Sequence, residues 1–458
     1  MNNKNDFTEG SVSKNILRLA IPMTFAQLIN ILYNIVDRIY IGRIPDASTL
    51  ALTGIGVTFP IITIIMAFAN LFGMGGAPLF SIERGKGNNN SAEEIMGNSF
   101  ALLIISGILL TILGLIFKRP LLLLLGASEN TFAYANNYIT IYLLGSVFVM
   151  ISLGMNSFIN SQGFGRVGMM TILLGAIVNI ILDPIFIFIF HMGVKGAALA
   201  TIISQFLSAL WVLRFLTGHN TLLRLKRKNF KINLLILKDI ITLGLSGFIT
   251  AITNSIVQMV CNITLQSYGG DLYVGIMTVI NSIREIITMP ISGIVNGSQP
   301  ILGYNYGAEK YNRVKSGIKF MSITCIAYTT FIWIILSILP EFFIKIFNND
   351  ANLIKFGVPS MHIYFFGFFM MSFQFSGQAV YVALKESKKA IFFSLLRKII
   401  IVVPLTLLLP RMFNLGVNGV FLAEPISNFI GGIACYLTML LTIWPSLTKK
   451  NSLLNHAV

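Results

Sequence analysis

The chain has 458 residues, of which 55% are hydrophobic and only 11% are charged. Soluble globular proteins carry roughly 25% charged residues, so the composition excludes a soluble protein and predicts one that crosses a membrane many times. The net charge of +16 does not indicate a nucleic-acid partner. The basic residues are distributed unequally between the loops on the two sides of the membrane, which is the pattern of a membrane protein.

Apolar runs that exceed the roughly 20 residues needed to span a bilayer recur along the whole chain. A polar segment, Met1 to Gly10, precedes the first run, which is too long for the core of a cleavable signal, so we expect it to remain as the first helix. Several runs are long enough to tilt or kink. The twelve predicted spans are residues 14–42, 50–82, 95–117, 131–160, 168–190, 194–216, 236–265, 272–304, 316–340, 353–383, 390–410 and 416–443.

Lysine and arginine are unevenly divided between the loops of this arrangement. With the N-terminus in the cytoplasm, the cytoplasmic segments carry 21 of these residues and the opposite segments carry 7. Because cytoplasmic loops are enriched in basic residues, we expect both termini to be cytoplasmic. The basic segment from Arg224 to Lys231 lies in the middle cytoplasmic loop, where its expected role is contact with anionic lipid. The three cysteines all fall in apolar runs and give no metal-binding spacing.

The two halves of the chain align on either side of that loop. Lys14-Asn-Ile-Leu-Arg-Leu-Ala-Ile-Pro22 matches Lys238-Asp-Ile-Ile-Thr-Leu-Gly-Leu-Ser246, and Gly193-Val-Lys-Gly196 matches Gly416-Val-Asn-Gly419 at nearly the same offset. Each half has six spans, so both halves enter the membrane in the same direction. We predict an all-α protein with an N-terminal six-helix lobe (1–216), a basic cytoplasmic linker (217–235) and a C-terminal six-helix lobe (236–458).

Two carboxylates lie within apolar runs of the first half, Asp37 in the first span and Asp183 in the fifth. Placing a charge at bilayer depth costs at least ~3 kcal/mol on insertion scales, so such residues face a cavity or an ion path. The chain has only 17 Asp and Glu residues, and Asp37 aligns with Cys261 in the second half. We therefore predict that the two acids bind a cation, either Na⁺, which suits hard oxygen ligands, or a proton.

Polar residues follow a helical spacing in four spans of the first half. Because an unsatisfied polar group in lipid costs a few kcal/mol, these stripes should converge inside the first lobe. The alternative for any one amide or hydroxyl is a hydrogen bond between helices worth about 1 kcal/mol. The stripes are Gln27, Asn30, Asn34 and Asp37; Asn156 and Asn160; Thr171, Gly175, Asn179 and Asp183; and Thr201, Gln205 and Ser208.

Pro184 follows Asp183 directly. A proline within a helix leaves the carbonyl four residues earlier without its donor, here that of Ile180, and bends the axis. We expect this carbonyl to be a further ligand or the bend to be a pivot.

Ionisable residues also occur in the second half. Arg284 and Glu285 lie mid-span, where they either neutralise each other or take part in substrate binding or coupling. Glu424 occupies the repeat position of Thr201. Arg397 and Lys398 lie near a cytoplasmic helix end, where we expect them to snorkel.

The sequence resembles the multidrug and toxic compound extrusion (MATE) family, and most of all its bacterial MepA-like branch, over nearly its whole length. The resemblance rests on Ile21-Pro22, Asn34-x-x-Asp37, Asn179-x-x-x-Asp183-Pro184, Gly193-x-x-Gly196-Ala-Ala and Gln299-Pro-x-x-Gly-x-Asn305-Tyr-Gly307-Ala.

The resemblance implies twelve transmembrane helices in two pseudo-symmetric six-helix bundles that form a V-shaped central cavity. It implies a secondary antiporter of the bacterial inner (plasma) membrane, not an enzyme, that exports lipophilic cations in exchange for H⁺ or Na⁺, with no other cofactor. We expect a monomer without a nucleic-acid partner. The implied cation site is Asp37, Asn156, Asn179, Asp183 and Thr201, and the candidates for the substrate cavity are Tyr33, Asn34, Tyr138, Gln205, Arg284, Glu285 and Gln374.

The sequence departs from the family at one point. Some members place acidic cation ligands in the seventh and tenth helices, where this chain has Gln258, Cys261, Asn262 and Gln374. Coupling should therefore rest on Asp37 and Asp183. Two alternatives remain: a flippase for lipid-linked saccharides, which would need a basic cavity for pyrophosphate, and a membrane enzyme, for which the four scattered histidines offer no clustered apparatus.

Overall fold

A computed structural model of the chain describes residues 5–44, 48–347, 349–412 and 414–456, and within these ranges the regular structure is entirely helical. The α-helices of the described residues are α1 (Val12–Ile41), α2 (Ser48–Gly85), α3 (Asn89–Leu124), α4 (Glu129–Leu144), α5 (Ser146–Ser161), α6 (Gly165–Pro184), α7 (Val194–Thr217), α8 (Leu234–Gly307), α9 (Tyr311–Ile338), α10 (Pro340–Phe347), α11 (Ala351–Phe365), α12 (Met371–Ala383), α13 (Ser387–Leu395), α14 (Val403–Leu408) and α15 (Val417–His456).

Ten helical segments of the described chain are long and apolar enough to cross a membrane, and the pair α4 and α5, bent by 56°, makes an eleventh. Helix α8 holds 74 residues, or about 110 Å at 1.5 Å per residue, which is more than three times the ~30 Å hydrocarbon core. Gly270 interrupts it with a non-helical conformation (φ 68°, ψ −165°). Since α8 thus supplies two spans, the twelve predicted spans are confirmed.

The chain divides into two compact units. The first contains Phe25–Gly247, and the second contains Asp6–Thr24 together with the described residues after Gly247. The predicted boundaries placed all of α1 in the N-terminal lobe, whereas its first half lies in the second unit. It packs there because Gly297 lacks a side chain: a Cβ at Gly297 would lie 2.6 Å from the backbone nitrogen of Ala20.

The internal repeat is visible in the backbone of each unit taken separately. His191 and Gly193 have φ angles of 52° and 54°, and Asn414 and Gly416, each 223 residues later, have 55° and 51°. Positive φ is uncommon outside glycine, so its recurrence at this offset is informative.

The next glycine of each copy repeats a close approach between helices. A Cβ on Gly196 would lie 2.7 Å from the carbonyl carbon of Phe186, and one on Gly419 would lie 2.6 Å from that of Leu409. Both pairs are again 223 residues apart, which confirms the repeat at the level of packing.

The basic linker is folded against α3 in the first unit. Asn98 accepts a hydrogen bond from the Asn233 backbone at 2.8 Å and donates to the Lys231 carbonyl at 3.2 Å. Glu93, which is buried, accepts from the Lys226 ammonium at 2.6 Å and from the Arg224 backbone at 3.2 Å. The linker is therefore held to the first unit by specific polar contacts.

Candidate cation and substrate sites

The two membrane-embedded acids meet in the first unit. Asp183, near the end of α6, is fully buried, and Asp37 of α1 is half-buried. Their carboxyl groups lie within hydrogen-bonding reach of each other. Two ionised carboxylates at such a distance repel each other strongly in a medium of low dielectric constant. The pair therefore requires a shared proton or a cation.

Asn179 connects this pair to α7. Its side-chain amide donates to Asp183 Oδ1 at 3.3 Å and to Thr201 Oγ1 at 3.4 Å. Thr201 in turn donates to the Ala197 carbonyl at 3.0 Å. The four residues Asp37, Asn179, Asp183 and Thr201, predicted to form a cation site, are thus linked through three helices.

Several oxygen atoms of this group are buried without a hydrogen-bond partner. They are Asp37 Oδ1, Asp183 Oδ2 and Asn179 Oδ1, and all three are acceptors. Buried acceptors are ordinarily paired, and leaving one unpaired costs about 1–3 kcal/mol. Carboxylate, amide and hydroxyl oxygens are hard ligands, so Na⁺ or a proton would fit this donor set.

Among the hydrogen bonds of the described residues, none joins Asn156 to this group. Its amide donates to the Gly168 carbonyl at 3.2 Å. Gly168 precedes Asn179 by eleven residues in α6, which corresponds to about 16 Å along the helix. A direct role of Asn156 in the cation site remains a prediction from the family resemblance.

The helix is irregular directly after Asp183, as Pro184 predicts. The irregularity takes the form of a π-helix, Ile185–Ile189, in which the Phe190 amide donates to the Ile185 carbonyl at 2.9 Å. Single π turns within α-helices occur frequently at functional sites. The role of the Ile180 carbonyl remains a prediction.

A cavity of about 290 Å³ adjoins the acid pair in the first unit. Its volume lies near the lower end of the range for small-molecule sites. The Tyr138 hydroxyl lies within hydrogen-bonding reach of Thr201, and the Tyr138 and Tyr142 rings are stacked with centroids 6.1 Å apart. The polar and aromatic wall consists of Asn30, Tyr33, Asn34, Asp37, Arg38, Phe59, Tyr138, Tyr142, Thr201 and Gln205.

A second cavity, of about 450 Å³, lies in the second unit. The remaining substrate-cavity candidates, Arg284, Glu285 and Gln374, line this cavity. The seven candidates are therefore divided between two cavities, with four in the first unit and three in the second.

Two basic residues of the second cavity were assigned wrongly from the sequence. Arg397 and Lys398 do not snorkel: they are 5% and 7% exposed, and both form ion pairs with Glu424. Arg284 is also within ion-pair distance of Glu424, at 3.6 Å. The missed signal was Glu424 itself, because an acid within an apolar run requires a basic partner.

An acid pair beside a polar cavity, in a chain of a dozen membrane spans, is the arrangement of a membrane transporter. The proteins that this chain resembles are likewise transporters and not enzymes. The profile of the MatE family matches residues 22–185 and 248–408. The chain belongs to the MatE family.

Similar proteins cover nearly all of the chain. "Multidrug export protein MepA" of Staphylococcus saprophyticus subsp. saprophyticus is 25% identical over 439 residues, 95% of each chain. The protein of the same name from Staphylococcus aureus (strain NCTC 8325 / PS 47) is 29% identical over 315 residues, 68% of each chain. A solved structure described as the outward-facing conformation of a multidrug resistance MATE family transporter superposes with a TM-score of 0.91 at 23% identity, covering 98% of this chain and 99% of the other. The likeness to that structure establishes the fold.

Proposed function

We propose that the chain is a secondary antiporter that exports amphipathic, often cationic compounds in exchange for Na⁺ or H⁺ bound at Asp37 and Asp183. One observation carries the proposal: Asp37 belongs both to the acid pair and to the wall of the first cavity. A coupling ion and a cationic compound would therefore meet the same negative charge.

Competition for that charge provides the coupling. When Na⁺ or a proton occupies the acid pair, the negative charge of the pair falls by one and the first cavity attracts a cation less strongly. When the ion leaves, the charge returns and an organic cation can bind. Tyr33 and Tyr138 in the cavity wall would add cation–π attraction of about 0.5–2 kcal/mol.

We further propose that the chain is a multi-pass protein of the bacterial plasma membrane with both termini in the cytoplasm. The uneven division of Lys and Arg supports this orientation. A monomer suffices for the mechanism, because all the residues invoked belong to one chain.

The test is dye export from cells or inverted vesicles that carry Asp183→Asn. We expect export to be abolished while the amount of protein in the membrane is unchanged. Asp271→Asn is a matched control, because Asp271 is exposed and its side chain accepts a hydrogen bond from Gln266. Normal export by Asp183→Asn would overturn the proposal. In the wild type, separate collapse of the pH gradient and of the Na⁺ gradient identifies the coupling ion.

A flippase for lipid-linked saccharides remains the second candidate, because the basic cavity that it requires is present. Arg284, Arg397 and Lys398 line the second cavity together. Export that stops on collapse of one ion gradient favours the antiporter, whereas export of lipid-linked saccharide that is indifferent to both gradients favours the flippase.

A further inference from the structure

Three basic side chains surround a single carboxylate oxygen in the second unit. Glu424 Oε1 accepts a hydrogen bond from Arg397 Nη2 and another from Lys398 Nζ at 3.4 Å. Arg284 Nη1 lies 3.6 Å from the same oxygen. We call Arg284, Arg397, Lys398 and Glu424 the basic cluster.

The basic cluster has more positive than negative charge. Its three bases outnumber its one acid, and Glu285 is the only acid among the residues that line the adjoining cavity. Even with Glu285 counted, the formal charges of these residues leave one positive charge over. A buried charge without a counter-ion is unfavourable in a protein interior, and more so at membrane depth.

The bases of the cluster reach the large cavity, whereas its acid does not. Arg284, Arg397 and Lys398 line the cavity of about 450 Å³. Glu424 does not line it; together with Arg284 and Lys398, it borders an adjoining pocket of about 20 Å³. The large cavity therefore meets the positive side of the cluster.

A further donor in the basic cluster is unpaired. Arg397 is 5% exposed, and its Nε has no hydrogen-bond partner. Amide side chains that can also donate hydrogen bonds line the cavity around the bases: Asn254, Gln258, Asn281, Gln374 and Gln378. A guanidinium group presents its donors in a planar fork that matches the two oxygens of a carboxylate or a phosphate.

We propose that the cavity of the second unit binds the single oxyanion group of an organic molecule, either a carboxylate or a phosphodiester. One negative charge would balance the one surplus positive charge, and the volume lies within the range of small-molecule sites. Arg284 is the most exposed of the three bases, at 27% of its side chain, and is the first group that such a ligand meets. The site does not depend on the export proposal, since binding here needs no ion gradient.

This site and the acidic site of the first unit occupy corresponding positions of the repeat but have opposite charges. Glu424 occupies the repeat position of Thr201, which belongs to the acidic site of the first unit. The same scaffold would thus bind a cation in one half and an anion in the other.

The test measures binding to the purified full-length protein in an uncharged detergent by isothermal titration calorimetry. The probes are 4-phenylbutyrate, its uncharged analogue 4-phenylbutanol, and dihexanoyl phosphatidylglycerol as a soluble phosphodiester lipid. We expect the anions to bind and the alcohol not to bind. Tighter binding of the carboxylate identifies a free organic acid as the source of the oxyanion, and tighter binding of the lipid identifies a head group.

Variants connect binding with the basic cluster. Arg284→Gln should weaken anion binding about tenfold or more, because it removes a charged donor. Glu424→Gln should strengthen it, because it raises the surplus charge by one. If Glu424→Gln does not fold, Glu285→Gln in the cavity wall makes the same change of charge. Arg411→Gln, at an exposed position outside the cavity, is the control and should bind as the wild type does.

Three results would overturn the proposal: no binding of either anion to the wild type, equal binding of 4-phenylbutanol, or equal loss of binding in Arg284→Gln and Arg411→Gln. Because the readout is binding in detergent, none of these results depends on dye export. Failure here and failure of the export proposal are therefore distinguishable.

Discussion

Asp37 and Asp183 hold their carboxyl groups within hydrogen-bonding reach of each other, although 146 residues separate them in the sequence. Among the described residues, neither acid forms an ion pair with a basic side chain, and each has one buried oxygen without a hydrogen-bond partner. We therefore expect the two acids to act as one group toward an incoming cation. The first two predictions follow from this.

The effects of removing the two acids should not add. We expect Asp37→Asn and Asp183→Asn each to reduce dye export to background, with the double variant no worse than the single ones, because the residues share one ion. The measurement is the initial rate of export at equal protein level. A shared ion would be contradicted if each single variant kept a residual rate of export and the double variant were slower still, by the product of the two single reductions.

Asn179 and Asn156 should behave differently, although family resemblance implies a cation-site role for both. Asn179→Ala removes a donor to Asp183 and to Thr201, so the ion concentration for half-maximal export should rise about tenfold. Asn156→Ala, whose amide contacts Gly168, should shift it little. An ion titration of export in vesicles measures both, and an equal shift in the two variants would place Asn156 in the site after all.

The repeated glycines should be equally intolerant of a side chain. Gly196→Ala and Gly419→Ala each direct a Cβ into the backbone of a neighbouring segment, and overpacking of this kind costs about 1–3 kcal/mol. Gly247→Ala is the control, because a Cβ there meets no atom within 4 Å. The midpoint of thermal unfolding in detergent should fall for the first two variants and not for the third. A fall in only one of the pair would show that the two junctions are not equivalent.

The basic linker should be released when its acidic anchor is removed. Glu93→Gln weakens the contacts with Lys226 and with the Arg224 backbone, so trypsin should cleave faster between residues 224 and 231. Glu129→Gln, in the first turn of α4, controls for the loss of one negative charge. The measurement is the rate of appearance of the two half-chain fragments, and equal rates in the two variants would contradict the anchoring role.

Much of the fold and of the first-unit site was predictable from residue spacing. The twelve spans followed from apolar run length, and polar residues three or four apart placed Asp37 on one face of α1 and Asp183 on one face of α6. Asn179 and Thr201 followed in the same way. These features are local, because helical periodicity determines which residues share a face.

The features that were missed depend on contacts between distant segments. Arg397 and Lys398 lie 27 and 26 residues before Glu424, and no helical spacing connects them. Proximity to a helix end suggested solvent, whereas ion pairing kept both side chains inside. Likewise, the sequence predicted that the linker contacts anionic lipid, and only the structure showed that it also contacts Asn98 and Glu93.

The left-handed residues at 191 and 193, repeated at 414 and 416, bear on the ancestry of the gene. They are the pattern expected if one six-span segment was duplicated and fused, with its turn geometry kept in both copies. The ionisable side chains do not follow the repeat: the first unit holds the acid pair Asp37 and Asp183, and the second holds three bases around Glu424. Equivalent backbones in the two halves therefore carry different charged groups, so the charge of each bundle is set by its side chains and not by its turn geometry.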